Sequence, residues 1–456
     1  MSYKVIKLSV TVFGIICLIA VSTCTASDIS QRRRQLRRIE SRISTDKTLP
    51  DNPTLDDYVK TGLLRNPGLK ASFYKWQGSF KKITQAFSLA DPKFTYTEYI
   101  DEVETRVGPQ RRAYSVMQSI PLPDKLWIRK DKAFKASEAE YYDFEKTRLE
   151  LIYKISDAYY EYAYAAKAIA LTEENMKLLK TFENVAQTKY ASGIAKNQDL
   201  LKVQVELGKL ENNLLSLKDL RKPLMAQLNA LLNLSEGREL PWPDEALEHV
   251  NIDNPYQLET FELADDLRRS NPELLALSKN VEKNEEALKL SMREYFPDLS
   301  VEVKTIDTGQ ALMPTAVDSG KDPVMLMFSV NVPIWFWRIN AEVEEAKASL
   351  EVAENMRKGK EQELLSRLAL VHYKLRDAIR QAGLYKDALI PKAVQALNAT
   401  QSGYTAGDVD FLSLIDAQRV LLNFELSYYR YTANFNQRLA EVKNLLGEIE
   451  GYNDLT

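Results

Sequence analysis

Residues suited to covalent or metal chemistry are scarce in this chain of 456 residues. It contains two histidines, His249 and His372, and two cysteines, Cys17 and Cys24, which both precede residue 26. Neither histidine has a cysteine or a patterned group of carboxylates near it in the sequence, so we expect no metal site. No Gly-rich phosphate loop, Ser/His/Asp set or pair of catalytic carboxylates stands out. The sequence therefore predicts neither an enzyme nor a protein with a cofactor.

A short motif that can place polar groups at a helix turn occurs twice. Each copy has a tyrosine, a glycine at the third position after it and a glutamine at the eleventh position after the glycine. The first copy is Tyr190, Gly193 and Gln204, and the second is Tyr404, Gly407 and Gln418. Because a glycine at the end of a helical pattern indicates a helix C-terminus, each copy predicts two helices joined by a tight turn.

The motif belongs to a larger internal repeat. All three of its residues recur at one constant interval, and three further matches recur in the same order at slightly shorter intervals. These matches are Asn66-Pro67 with Asn271-Pro272, Pro92 with Pro297, and residues 119–122 with 331–334. Such self-similarity indicates repeated supersecondary units. The expected organisation is a signal peptide (1–26), a polar segment (27–53), two repeats (54–250 and 251–447) and a tail (448–456).

Long helices dominate each repeat. Residues 124–192 contain no Gly or Pro and predict one helix of about 70 residues. Apolar residues spaced three and four apart within it predict coiled-coil packing. Because a helix rises in proportion to its number of residues, two shorter helices placed end to end, 54–90 and 195–233, would match its length. The second repeat predicts the same plan, with a long helix at 334–402 that Pro391 should kink.

Two segments of alternating apolar and polar residues lie between the helices of each repeat. Phe94 and Tyr96 alternate with threonines, and Val330, Val332 and Ile334 end the last alternating run. Alternation over about ten residues is a weak sign of outer-membrane strands. A half-buried hairpin of a soluble protein has the same pattern, so both interpretations stay open at this point.

The strand count requires several chains if these strands cross a membrane. An open four-stranded sheet would leave backbone N–H and C=O groups unsatisfied in hydrocarbon, and about eight strands are the minimum for a closed barrel. Three chains would supply twelve. Trp127, Trp335 and Trp337 follow the predicted strand ends, where aromatic residues suit a membrane interface. The sequence thus favours a mostly α fold with a small β part, forming a coiled-coil α-barrel and a twelve-stranded transmembrane β-barrel in a trimer.

The N-terminus has the features of an export signal. Two lysines precede an apolar run at 8–21, and small residues follow up to Ala26, which is typical of a cleaved signal peptide. Two alternatives to a cleaved signal peptide are an N-terminal membrane anchor and the attachment of lipid to Cys24. The arginine-rich run 32–38 is most simply a solvated segment, although it could contact anionic lipid or a partner protein.

These features together resemble the TolC family of outer-membrane channel proteins. The resemblance rests on the signal peptide, the duplication, the two Tyr-x-x-Gly motifs and the strand–Pro–long-helix junctions at Pro121 and Pro333, and it covers about residues 54–447. It implies a homotrimer in the outer membrane of a Gram-negative bacterium, with lipid around its β-barrel and with its α-barrel in the periplasm. It also implies a periplasmic adaptor and an inner-membrane pump as partners.

The resemblance further implies a gate just after the two turns. By position, Asp199 would contact Tyr404 as a closing pair, and Asp416 from three chains would form an acidic ring that attracts cations. Val409 and Ser413 stand where the family's best-known gate has a basic residue and a second aspartate, so this gate should have fewer or different bonds. The alternative for both aspartates is an ordinary solvated carboxylate.

Two other functions fit the same sequence. A soluble periplasmic coiled-coil scaffold or adaptor would use the same heptads. A secretion channel would differ from a drug or metal efflux channel only in its pump and cargo. Nucleic acid is not expected as a partner, because 61 Lys and Arg against 64 Asp and Glu leave no basic excess.

Overall fold

The computed structural model describes residues 26–43, 49–50, 52–193, 196–243, 246–247, 260–313 and 315–448. Most of the expected signal peptide, including Cys24, and also His249 lie outside these described residues. The chain divides into two units, residues 1–48 with 449–456, and residues 49–448. In the first unit, helix α1 (Ala26–Ile43) occupies much of the segment that the sequence analysis treated only as polar.

The second unit contains both repeats, and each repeat has helices on either side of a strand pair. The elements of the first repeat are α2 (Leu55–Arg65), α3 (Pro67–Ala86), β1 (Lys93–Val103), β2 (Gln110–Ile120), α4 (Pro123–Ala191) and α5 (Asn197–Leu232). Those of the second are α6 (Thr260–Ser270), α7 (Pro272–Arg293), β3 (Leu299–Thr308), β4 (Val324–Val330), α8 (Phe336–Leu384), a π-helical turn (Tyr385–Leu389), α9 (Ile390–Ala406) and α10 (Phe411–Leu446).

Helix α4 is the long helix that the Gly- and Pro-free segment predicts. It has 69 residues, which corresponds to a length of roughly 100 Å. Ile155, Tyr159 and Tyr162 from the predicted seam are buried. Along its length α4 packs against α3, α5, α7 and α10, so the apolar residues on several of its faces are covered by different neighbours.

The short segments predicted before the strands are each two helices rather than one. The break falls at the repeated Asn-Pro pair, because proline at the first helical position starts a helix but cannot continue one. Asn66 caps α3 and donates its side-chain amide to the carbonyl of Leu231, at 2.9 Å. Asn271 caps α7 and donates in the same way to Leu445, also at 2.9 Å. The repeated pair thus joins each short helix to the end of α5 or α10.

The disturbance expected at Pro391 takes the form of the π-helical turn just before it. Proline lacks an N–H and its ring crowds the carbonyl one turn earlier, and a π-helical turn relieves this by adding one residue to the turn. Tyr385 in this turn stacks on Tyr431 of α10, with ring centroids 5.7 Å apart. The helix then continues to Ala406, beyond the predicted end at 402.

The four strands form one antiparallel sheet in the order β1-β2-β3-β4. Strands β2 and β3 belong to different repeats and pair over their whole length, from Gln110 with Thr308 to Ile120 with Leu299. The two hairpins of one chain therefore make a continuous sheet. Strand β4 ends at Val330, so Val332 and Ile334, which the alternation placed in the strand, lie beyond it.

The register places apolar side chains from all four strands on one exposed face. Phe94 pairs with Val116, Val116 with Val303, and Val303 with Leu326, and directly paired residues share a face. Phe94 and Leu326 are both exposed. Within the described residues, β1 and β4 are each paired on one side only. The sheet of one chain is therefore open and apolar on its outer face. No helix among the described residues has the length and hydropathy of a transmembrane helix.

Candidate functional site

The two Tyr-x-x-Gly motifs form the turns between α4 and α5 and between α9 and α10, which we call the tip turns. Gly193 has φ +74° and Gly407 has φ +94°, a region that glycine enters without steric cost. The amides of Gly407 and Asp408 both donate to the carbonyl of Gly403, each at 2.9 Å. Asp410 then caps α10 by accepting from the amide of Ser413, at 3.3 Å. Residues 194–195 of the first turn lie outside the described residues.

The two motif tyrosines have different environments. Tyr190 is 47% exposed, whereas Tyr404 is 7% exposed and packs against Phe411, with ring centroids 5.1 Å apart. Tyr404 belongs to an apolar cluster that joins α4, α5, α9 and α10. Only the second motif therefore places its tyrosine where it holds the tip together.

Lys189 makes the contact that joins α4 to the end of α9. Its ammonium lies 4.2 Å from the ring centroid of Tyr404 and donates to the backbone carbonyl of the same residue. A cation over an aromatic face is attracted by the ring quadrupole, so one side chain makes two favourable contacts. Lys189 was not predicted as a site residue, because no feature of its spacing in the sequence singles it out.

Asp199 lies near Tyr404, but no hydrogen bond joins the two side chains. Burial, and after it the negative charge of Asp199, raise the pKa of the Tyr404 hydroxyl above its ordinary value of 10.0. The hydroxyl oxygen is buried and has no hydrogen-bond partner among the described residues. Asp199 and Tyr404 are therefore close together within one chain but are not bonded to each other. Their role in closing the tip stays a proposal.

Asp416 is the most accessible of the expected gate residues. Its side chain is 66% exposed, and its carboxylate lies 3.6 Å from the guanidinium of Arg419 one turn later. The carboxylate is therefore in contact with solvent and only partly neutralised. This placement is compatible with a ring of three such groups, which would require three chains.

A bidentate ion pair between Glu206 and Arg419 joins α5 to α10. Its two bonds measure 3.1 Å and 3.0 Å, and the side chains of Glu206 and Arg419 are 12% and 44% exposed. The hydrogen bond from Arg419 is the main cause that holds the pKa of Glu206 below its ordinary value of 4.5. This pair was not predicted from the sequence. A signal was present, because the two opposite charges stand at nearly equivalent positions of the two repeats.

The two motif glutamines also differ. Gln204 is exposed and donates to Glu183, at 3.3 Å. Gln418 is 1% exposed, and neither atom of its amide has a partner among the described residues. It lines a groove of about 530 Å³ between α4, α5 and α10, which the Glu206–Arg419 pair also borders.

Comparison with known proteins identifies related sequences and folds. A family model described as "Outer membrane efflux protein" matches residues 63–234 and 263–448. "Toxin and drug export protein A" of Aggregatibacter actinomycetemcomitans is 26% identical over 241 residues, which cover 50% of each chain. An uncharacterized protein of Haemophilus influenzae is 26% identical over 238 residues, or 48% of this chain and 49% of that protein. The chain thus spans about half the length of the curated relatives it matches.

Solved outer-membrane channels have the same fold. The outer membrane protein VceC of Vibrio cholerae matches with a TM-score of 0.72 at 16% identity, covering 86% of this chain and 96% of that one. The MtrE outer membrane channel of Neisseria gonorrhoeae, in its open state, matches with a TM-score of 0.66 at 14% identity, covering 89% and 96%. These likenesses confirm the predicted fold class of tandem long-helix repeats with a small sheet.

Proposed function

Because the chain belongs to the outer membrane efflux protein family, we propose that three copies of it form one channel across the outer membrane and the periplasm. The family match confirms the expected TolC-family resemblance, a non-enzymatic transport role and an outer-membrane location. We further propose that this channel is a component of a tripartite efflux or type I secretion system, with a periplasmic adaptor and an inner-membrane pump as partners. Small molecules, metal ions and proteins are all candidate cargoes.

The open sheet is the observation that carries this proposal. Its outer face is apolar and exposed, and β1 and β4 each have an unpaired edge within the described residues. In hydrocarbon these edges must be paired, because each unsatisfied backbone group costs several kcal/mol. Pairing β4 of one copy with β1 of the next satisfies both edges, and three copies give a closed twelve-stranded barrel.

The tip turns supply the gate in this proposal. The Lys189–Tyr404 contact holds α4 to α9, and the Glu206–Arg419 pair holds α5 to α10. Asp199 adds negative charge beside Tyr404, and Asp416 supplies the exposed carboxylate of the ring. When α5 and α10 separate, the tip widens and cargo passes. We expect fewer bonds here than in the family's best-known gate, because Val409 and Ser413 cannot form ion pairs.

The experiment is to purify the mature chain, measure its mass in detergent and record its conductance in planar bilayers. A detergent-dependent trimer that forms discrete channels supports the proposal. Recovery as a monomer in the detergent-free periplasmic fraction would instead favour the coiled-coil scaffold or adaptor. The identity of the adaptor and pump that copurify from membranes would then show whether the cargo is a drug, a metal ion or a protein.

A further inference from the structure

Three of the nine methionines of the chain lie together on the polar face of the sheet. Met117 of β2 pairs with Glu302 of β3, and Glu302 pairs in turn with Met327 of β4. Directly paired residues share a face, so this row places a carboxylate between two thioethers. Met325 lies two residues before Met327 and therefore on the same face. The sheet thus brings together four side chains from three strands, which we call the methionine cluster.

The spacing of the strands allows these side chains to meet. Neighbouring strands are about 4.8 Å apart, so the backbones of Met117 and Met327 are about 10 Å apart, with Glu302 midway between them. Met325 is the diagonal neighbour of Glu302, a position that long side chains can bridge. Methionine is unbranched and has three rotatable bonds, so each sulfur can turn toward the carboxylate. All four residues are half-buried, whereas Leu326 on the other face is exposed, so the cluster lies on the more sheltered face.

An apolar packing role does not account for these methionines. Methionine often fills gaps in apolar cores, but the neighbours of the cluster on this face are polar or charged. Ser115 and Ser329 lie two residues from cluster methionines, and Lys304 pairs with Met325. The side chain of Glu302 forms no ion pair or hydrogen bond with the part of the chain that the structure describes. A carboxylate flanked by thioethers is better suited to binding a cation.

We propose that the methionine cluster binds a soft monovalent cation, Cu(I) or Ag(I), as cargo. Thioether sulfur is a soft ligand that selects such ions, whereas carboxylate and water ligands suit Mg²⁺ and Ca²⁺. The carboxylate of Glu302 balances the single positive charge, and the neutral thioethers supply the remaining bonds. Neither histidine nor cysteine, the residue types behind the expectation of no metal site, belongs to the cluster. The site needs only one chain, but its place inside a lumen rests on the proposed function.

Lys304 limits how tightly the cation is held. It lies two residues after Glu302 on the same face of β3, and its ammonium repels a bound cation. A conducting pathway needs sites that bind an ion and also release it, so a nearby positive charge agrees with a role in transport. Lys304→Gln should therefore strengthen binding, and Glu302→Gln should weaken it.

The first test measures the binding of Ag⁺ to the purified chain in detergent by isothermal titration calorimetry. Cys17→Ser and Cys24→Ser remove both thiols, and nitrate salts prevent precipitation of silver chloride. We expect one site per chain from which excess Mg²⁺ does not displace Ag⁺. Changing all three cluster methionines to leucine, which nearly conserves their volume, should weaken this binding at least tenfold because it removes every sulfur ligand.

A matched variant controls for the loss of methionine elsewhere. Met292, Met313 and Met356 are exposed and lie outside the strands, and changing these three to leucine should leave the affinity for Ag⁺ unchanged. Equal affinities in the two triple variants would overturn the proposal, and so would displacement of Ag⁺ by Mg²⁺.

Single-channel recordings distinguish this site from the channel itself. Micromolar Ag⁺ should lower the conductance of the starting protein but not that of the variant without the cluster methionines. Channels that Ag⁺ affects equally in both proteins would overturn the cation site and leave the channel proposal standing. A chain that binds Ag⁺ through the cluster in detergent but forms no channels would support the site and overturn the channel proposal.

Discussion

Replacing Glu206 by Gln should weaken closure of the tip. The side chain keeps its size but loses its charge, so the bidentate pair with Arg419 across α5 and α10 is lost. Exposed ion pairs contribute about 0.2–1 kcal/mol, and hydrogen bonds to charged groups contribute about 1.5–3 kcal/mol. Glu206 is 12% exposed and Arg419 is 44% exposed, which places the pair between these cases, at about 1–2 kcal/mol per chain.

That free energy corresponds to about a 5- to 30-fold change in the closing equilibrium for each chain. We therefore expect a clear rise in open probability in single-channel recordings of the Glu206→Gln variant. Arg419→Gln should have a similar effect, and the double variant should add little to either single one, because all three remove the same interaction. Glu211→Gln is the control, since Glu211 is exposed on the same helix with no ion pair among the described residues. Equal open probability in the Glu206 and Glu211 variants, or additive effects in the double variant, would refute the reasoning.

Three further outcomes are expected. Because the pKa of Glu206 is below its ordinary value of 4.5, its contribution to closure is present above that pH and is lost as the pH falls through the lowered pKa. Open probability should therefore be flat from neutral pH to about 5 and rise only below about 4.5. A rise between pH 7 and 5 would mean that another group controls closure. Asp416→Asn should reduce the preference for cations in bi-ionic potential measurements, and unchanged selectivity would remove the proposed ring. Asn271→Ala should lower the free energy of unfolding by about 1–3 kcal/mol in denaturant titrations, because it removes a helix cap and leaves a buried carbonyl unpaired; Asn280→Ala, in the same helix, should cost less.

The repeat and the long helices could be predicted from the sequence because both depend on local features. The Gly- and Pro-free segment fixes α4 to within one residue at each end, and the motif glycines mark both tip turns. The strand positions follow from alternation, but the end of β4 does not, since Val332 continues the pattern after the ladder has stopped. One more backbone hydrogen bond follows the ladder, from the amide of Asn331 to the carbonyl of Asp298 at 3.2 Å. The residue before Asp298 is Pro297, which has no N–H to donate and so cannot extend the ladder.

The candidate site was harder to predict because its contacts join residues far apart in the sequence. Lys189 and Tyr404 are neighbours only because α4 and α9 end at the same place, and Glu206 meets Arg419 only because α5 and α10 flank the same groove. The repeat makes Gln204 and Gln418 look equivalent, yet one is exposed and the other buried. A duplicated sequence predicts equivalent backbone positions, whereas the environment of each side chain depends on its neighbours in space.

The central claim is that several chains share one sheet, and disulfide crosslinking between the two sheet edges tests it most directly. In a background with Cys24→Ser, one cysteine replaces Thr97 on β1 and a second replaces Ser329, Met327 or Met325 on β4 in turn. All four residues lie on the same face of the sheet, and the three β4 positions cover more than one register between copies. Within one chain, β2 and β3 separate these strands by about 14 Å, since neighbouring strands are about 4.8 Å apart, which is too far for a disulfide. The account predicts covalent dimers and trimers on a denaturing gel after oxidation. Monomers with an internal disulfide, or the absence of any link with all three β4 positions, would contradict it.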